Sequence, residues 1–200
     1  MSAPNRLLIL AAFGGLAPAV AWSQADRVLG GSSVVGGDGS RGMLSVDVSG
    51  IKSWDDWYSP FNVEILQQVD PNAHIIGIGW DVTISTKPYA LLTDVRVLFI
   101  GVETPIFSLA PGLDDDRSGT ASYSSGDIID LRPEHFDFHA DPLGFFRMHF
   151  YQRGDRGDYW GEVNATWLAG TITLQYETVP TPGLPAILSV AGLIAMRRRR

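Results

Sequence analysis

His135, Asp137, His139 and Asp141 recur at every second position of the stretch EHFDFHAD. On an extended strand that spacing places all four side chains on one face and Phe136 and Phe138 on the other. Two imidazoles and two carboxylates make a donor set suited to zinc or a similar divalent ion. Neighbours on one face of a strand stand about 7 Å apart, so at most two of the four converge on one ion unless another element supplies a ligand. The duller reading is a solvent-facing row. Asp114, Asp115 and Asp116, between Gly112 and Ser118, offer hard oxygen ligands to calcium as a cofactor. They lack the D-x-D-x-D-G spacing of a dedicated loop and read more simply as a solvated turn. Trp54 and Trp57, with Tyr58 and beside Asp55 and Asp56, form a candidate sugar-stacking platform, together with Tyr159 and Trp160 further on. Partly buried core is the competing reading.

Other motifs carry less. Arg153-Gly154-Asp155 is followed at once by Arg156-Gly157-Asp158, a doubled adhesion tripeptide that is also what a hairpin turn requires. Asp155 and Asp158 with Glu162 are a second calcium possibility. Asn164-Ala165-Thr166 is a glycosylation sequon. There is no G-x-S-x-G elbow, and a chain with 22 acidic residues always contains paired carboxylates, so their presence does not argue for a glycosidase. With no cysteine, thiol catalysis, Cys-ligated zinc and disulfides are all excluded.

The elements that must position these groups are strands. Ile76, Ile78, Trp80, Val82 and Ile84 alternate with Gly77, Gly79, Asp81, Thr83 and Ser85, predicting a half-buried strand whose other face is wet or covered by small side chains. Leu91 to Gly101 follows a Lys87-Pro88 turn with Val95, Val97 and Phe99 on one face. Further strands are expected over 43–48, 61–69, 106–110, 120–124, 127–131, 145–152 and 171–176. No segment of helix length repeats at 3.6 residues within 22–178. Short strands separated by Gly, Pro, Asp and Ser predict an all-β fold, an antiparallel β-sandwich of jelly-roll type over 43–178. Six glycines and three serines between Gly30 and Gly42 mark 22–42 as a turn-rich lead-in.

Both ends read as addresses. Arg6, the apolar run Leu7 to Leu16 and the small-x-small site Ala19-Val20-Ala21 compose a secretory signal peptide over 1–21, implying a secretion translocase and signal peptidase as partners. At the other end Val179, Pro180, Thr181, Pro182 and Gly183 interrupt regular structure, an uncharged run follows to Met196, and Arg197, Arg198, Arg199 and Arg200 come next. The 14 residues from Gly183 to Met196 span about 21 Å as a helix against a hydrocarbon core of about 30 Å, a short membrane segment at 184–196. The arginines would hold that end on the cytoplasmic side.

Residues 179–200 resemble the PEP-CTERM sorting signal of exported bacterial proteins, with Thr181 where the family has glutamate. The resemblance implies recognition by a membrane exosortase, transient anchoring in the inner membrane, and release to the cell surface or beyond. Phe145-Phe146, Asp155 to Asp158, Trp167 and Gly170-Thr171-Ile172-Thr173 resemble the closing stretch of other such proteins. Between the two addresses, ten basic residues face all 22 acidic ones, a net charge of −12 that disfavours nucleic acid as a partner. The leading expectation is an exported, non-catalytic surface or matrix protein. A carbohydrate-binding sandwich that meets extracellular polysaccharide and a secreted hydrolase are the alternatives.

Overall fold

The computed structural model describes residues 32–35, 41–101, 105–153 and 162–178. The signal-peptide and sorting-tail expectations, with Ala19, Ala21 and 179–200, lie outside these residues. Among the described residues twelve antiparallel strands form two sheets packed on one core: β1 Ser32–Val35, β2 Arg41–Asp47, β3 Ile51–Ser53, β4 Val63–Gln68, β5 His74–Thr86, β6 Val95–Ile100, β7 Pro105–Leu109, β8 Thr120–Ser124, β9 Ile129–Asp130, β10 Phe138–His139, β11 Phe145–Gln152 and β12 Ala165–Glu177. The all-β sandwich expected from the periodicity is the fold. In the larger sheet β12 lies between β5 on one side and β2 and β3 on the other. β8, β9 and β10 line the far side of β5, and β1 lies outside β2. The smaller sheet runs β4-β11-β6-β7. Among the described residues no helix is long and apolar enough to cross a membrane, and the helical turns are two 3-10 turns at Leu92–Asp94 and Arg132–Glu134.

Alternation explains the core. Leu44, Val46, Ile78, Val82, Ile84, Trp167, Ile172 and Leu174 from the larger sheet meet Ile65, Val95, Val97, Phe99, Phe107, Phe146, Met148 and Phe150 from the smaller. Trp167 stands edge-on to Phe150, with centroids 5.3 Å apart, and donates its indole N–H to Ser53 Oγ at 3.3 Å. The largest buried side chain therefore hides no unpaired donor.

The structure departs from simple periodicity in three places. The ladder between β5 and β12 skips at Ile76, so Ile75 takes the core position there. A second shift at Leu168 breaks the alternation of β12, which is why only its last half reads as a strand in sequence. β1 falls within the stretch expected as lead-in, and pairs with β2.

Glycine does specific work on β5 and β12. The outward faces of Gly77 and Gly79 lie under Ile128, and a Cβ at either would sit 2.7 or 2.9 Å from it. The small side chains anticipated on that face thus admit a loop that crosses the sheet. At Gly170 the backbone is at φ +116°, and a Cβ would run into the Asp81 carbonyl oxygen. Gly119 has a similar φ of +113° with open space around it. Gly119→Ala is therefore expected to cost about 1–3 kcal/mol through backbone strain alone. Gly170→Ala should cost about 1–3 kcal/mol more, because the clash is with main chain that cannot step aside. Urea midpoints of the two variants check the ordering.

Candidate functional site

The richest cluster of ionisable groups lies at one end of the larger sheet, on the ladder Glu177, His74, His139 formed by β12, β5 and β10. His74 Nε2 is 2.6 Å from Asp137 Oδ2, and the His74 and His139 rings stack 4.3 Å apart with planes within 3°. Glu177 accepts from Arg41 Nε at 3.2 Å and lies 3.8 Å from Arg132 Nη1. Arg132 in turn grips Asp130 with two guanidinium nitrogens, at 2.9 and 2.7 Å.

Of the expected His135-to-Asp141 row, only Asp137 and His139 come together here. His74, their partner, was not foreseen, because nothing in sequence announces which strand pairs with Phe138–His139. The row itself does not form. Pro133 opens a 3-10 turn, and His135 closes it in the left-handed region at φ 59° with its N–H on the Arg132 carbonyl. Asp141 caps another turn, accepting from the N–H groups of Leu143 and Phe145 at 2.8 and 2.7 Å. Only the apolar half of the pattern survives: Phe138 is buried in the core and Phe136 packs against it.

This geometry does not gather His135, Asp137 and His139 around one ion. An imidazole binds an ion through a lone pair in its own plane. A metal in the plane of one stacked ring is well out of the plane of the other, so His74 and His139 cannot share it. Among the described residues no group of three or more His, Cys, Asp or Glu is placed to hold a metal. What the cluster offers is an imidazole paired with a carboxylate: Asp137 hydrogen-bonds the His74 ring and fixes its orientation. Among the described residues neither imidazole hydrogen-bonds a hydroxyl.

The acidic loop is engaged internally as well. Asp115 accepts both Arg117 Nε at 2.8 Å and Nη2 at 2.9 Å, and the Tyr123 hydroxyl at 2.8 Å. Those hydrogen bonds, Arg117 first, hold its carboxyl far below the usual range, while burial and the same bond push the Tyr123 phenol up. Asp130 repeats the Asp-x-Arg device, and Arg132 holds its carboxyl down to about 2. Asp114 is left-handed at φ 67°, its N–H on Thr93 Oγ1, and it and Asp116 face solvent. Calcium at Asp114 to Asp116 would have to displace Arg117 from the central carboxylate.

Trp54 and Trp57 are half-buried in the loop between β3 and β4, with Tyr58 and Phe61 51% and 49% exposed. Trp57 and Tyr58 meet edge-on at 80°, and Trp54 and Phe61 tilt by 37°. These are not coplanar stacking surfaces. Tyr159, Trp160 and the repeated tripeptide beyond Arg153 lie outside the described residues. The sequon asparagine, Asn164, is buried, which closes it to glycosylation.

A polar row on the outward side of β4, β11, β6 and β7 was also missed in sequence. Glu64 lies 3.3 Å from Arg147 and 3.7 Å from His149, and Tyr151 shares a 3.0 Å hydrogen bond with Ser108. Arg96, His149 and Tyr151 are buried. Both faces of β11 are therefore covered, and FFRMHFYQ shows no clean alternation that could have marked the row.

Partial desolvation of the His139 ring, then the neighbouring His74, keep its pKa below the ordinary value. The unfolded chain takes up that proton first, so this contribution to stability is present above about pH 6.5 and is lost as pH falls below it. The urea midpoint is expected to drop between about pH 7.5 and about pH 5.5, and His139→Gln should flatten the change. An equal slope in the variant would place the titration elsewhere.

No family model matches the chain, and no curated protein matches it. Among solved structures it is similar to the structure of infectious bursal disease virus Gx strain, at 13% identity and a TM-score of 0.30 over 89% of this chain and 47% of that one. It is similar also to the infectious bursal disease virus VP2 subviral particle, at 12% identity and a TM-score of 0.30 over 96% of this chain and 54% of that one. The chain spans about half the length of each.

Proposed function

We propose that this is an exported, non-catalytic cell-surface or extracellular-matrix protein, delivered through a signal peptide at 1–21 and a PEP-CTERM-type tail at 179–200. Its sandwich, taken as jelly-roll-like, is the working domain, and 184–196 is the transient membrane helix. The observation that carries the reading is the order of the tail: Pro180-x-Pro182, an uncharged apolar run, then Arg197 to Arg200, starting three residues after the end of β12. Support comes also from how the domain uses its acids. Asp115, Asp130, Asp137 and Glu177 are engaged by neighbouring side chains, an arrangement suited to holding turns rather than to turnover. The exosortase that reads Val179 to Gly183 is the processing partner.

Expression of the full chain in an exosortase-bearing bacterium is expected to yield a secreted product whose intact mass lacks Leu184 to Arg200. Without the exosortase the chain should stay with the membrane fraction. Neutralising Arg197 to Arg200 should loosen that retention, because the cationic stop is lost. A secreted product still carrying the apolar segment overturns the proposal.

The surface assigned to extracellular polysaccharide is the Trp54-to-Phe61 loop, on the observation that Tyr58 and Phe61 stand half exposed there. Tyr58→Ala with Phe61→Ala is expected to weaken retention on polysaccharide affinity gels at least several-fold without shifting the melting temperature. Unchanged retention removes that surface from the reading.

A further inference from the structure

Trp54 to Asn62 joins β3 to β4 and so carries the chain from one sheet to the other. Asn62 holds it from within: Oδ1 accepts the Trp54 N–H at 2.9 Å, and Nδ2 donates to the carbonyls of Asp55 and Asp56 at 3.1 and 2.8 Å. Two residues from other strands reach it from outside. The backbone N–H of Gln152, at the end of β11, donates to the Asp55 carbonyl at 3.1 Å. Asn164, just before β12, gives its side-chain amide to the Trp54 carbonyl and to Asp55 Oδ1, the latter at 3.2 Å.

Those contacts fix which way the Asn164 amide points, since its nitrogen faces two acceptors. Its Oδ1 is then a buried acceptor with no donor among the described residues, in a residue only 9% exposed. Gln152 lies beside it, 2% exposed, with its Oε1 buried and without a donor among the described residues. The loop thus brings the Asp55 carboxylate, which accepts from Asn164, beside two buried amide oxygens that have no donor among the described residues. Buried acceptors call for a partner, and oxygens from Asp, Asn and Gln are the ligand set of a hard divalent cation.

We infer that the sandwich binds a calcium-class divalent cation beneath the Trp54-to-Asn62 loop, through the Asp55 carboxylate and the side-chain oxygens of Gln152 and Asn164. One carboxylate with two neutral oxygens makes a weak site, in the range of about 10⁻⁴–10⁻³ M typical of extracellular modules. The site is separate from Asp114 to Asp116, and it does not depend on how the tail is processed. By tying β3, β11 and β12 to one ion it would brace the crossing between the sheets.

Terbium provides the test, because Trp54 lies within the loop and can sensitise lanthanide emission. Titrating terbium into the full chain in detergent is expected to raise sensitised emission, and calcium should displace it with half-effect near about 0.1–1 mM. Calcium alone should raise the melting temperature by mass action. Asp55→Asn and Gln152→Leu, both close in size to the native residue, are each expected to weaken calcium at least about tenfold with the melting temperature in EDTA unchanged. Asp115→Asn should leave the affinity as it was. No emission together with no thermal shift means ordered water alone satisfies these oxygens, and overturns the inference. A calcium effect that survives both Asp55→Asn and Gln152→Leu places the ion elsewhere and overturns it equally.

Discussion

The antiparallel ladder between β5 and β12 is the constraint on which the rest of the fold depends. Both strands are 13 residues long, and they pair from one end of the sandwich to the other. All the remaining strands of the larger sheet except β1 add directly to one or other of the pair. The core follows from this, since Ile78, Val82, Ile84, Trp167, Ile172 and Leu174 are set on one side by a shared register. A slip of one residue would turn them outward. The two register shifts, at Ile76 and Leu168, act as pins that a slipped ladder could not satisfy.

An anionic chain must also keep its carboxylates from repelling one another across a small surface. The structure meets this locally. Asp115 with Arg117 and Asp130 with Arg132 are two-residue forks, each closing a turn at the edge of β5's neighbours. Asp47, Asp127 and Asp141 accept nearby backbone N–H groups instead. Exposed ion pairs contribute little each, but a carboxylate that also shapes a turn restricts the connection as well as offsetting charge. The acidic composition is thereby turned to the service of the loops.

Much of the fold was legible because strands write their burial at period two. Ile78 to Ile84 and Val95 to Phe99 carry that signal plainly, and the Gly77 and Gly79 positions hinted that something would lie close on the other face. What stayed hidden depended on pairing. His74 and His139 are 65 positions apart, and only the β5–β10 register brings their rings together. The alternating His135-to-Asp141 pattern misled for a specific reason: the Pro133 turn and the left-handed His135 interrupt the strand that the pattern assumes. Asn164 looked like a glycosylation site and proved to be a buried brace. Gln152 carried no signal at all, since a glutamine at a strand end looks the same whether it faces water or a loop from another sheet.

The position of β12 has a mechanical consequence. Its last strand residue, Glu177, stands in register with neighbours on both sides, His74 in one strand and Arg41 in the other. Hydrogen bonds in an antiparallel ladder run across the strands. Tension applied at this end therefore acts along the strand and strains the rungs on both flanks together, in shear. The same tension on an edge strand such as β7 would be carried by the rungs of one flank only. A domain held by the end of its central strand resists drag with the whole sheet at once.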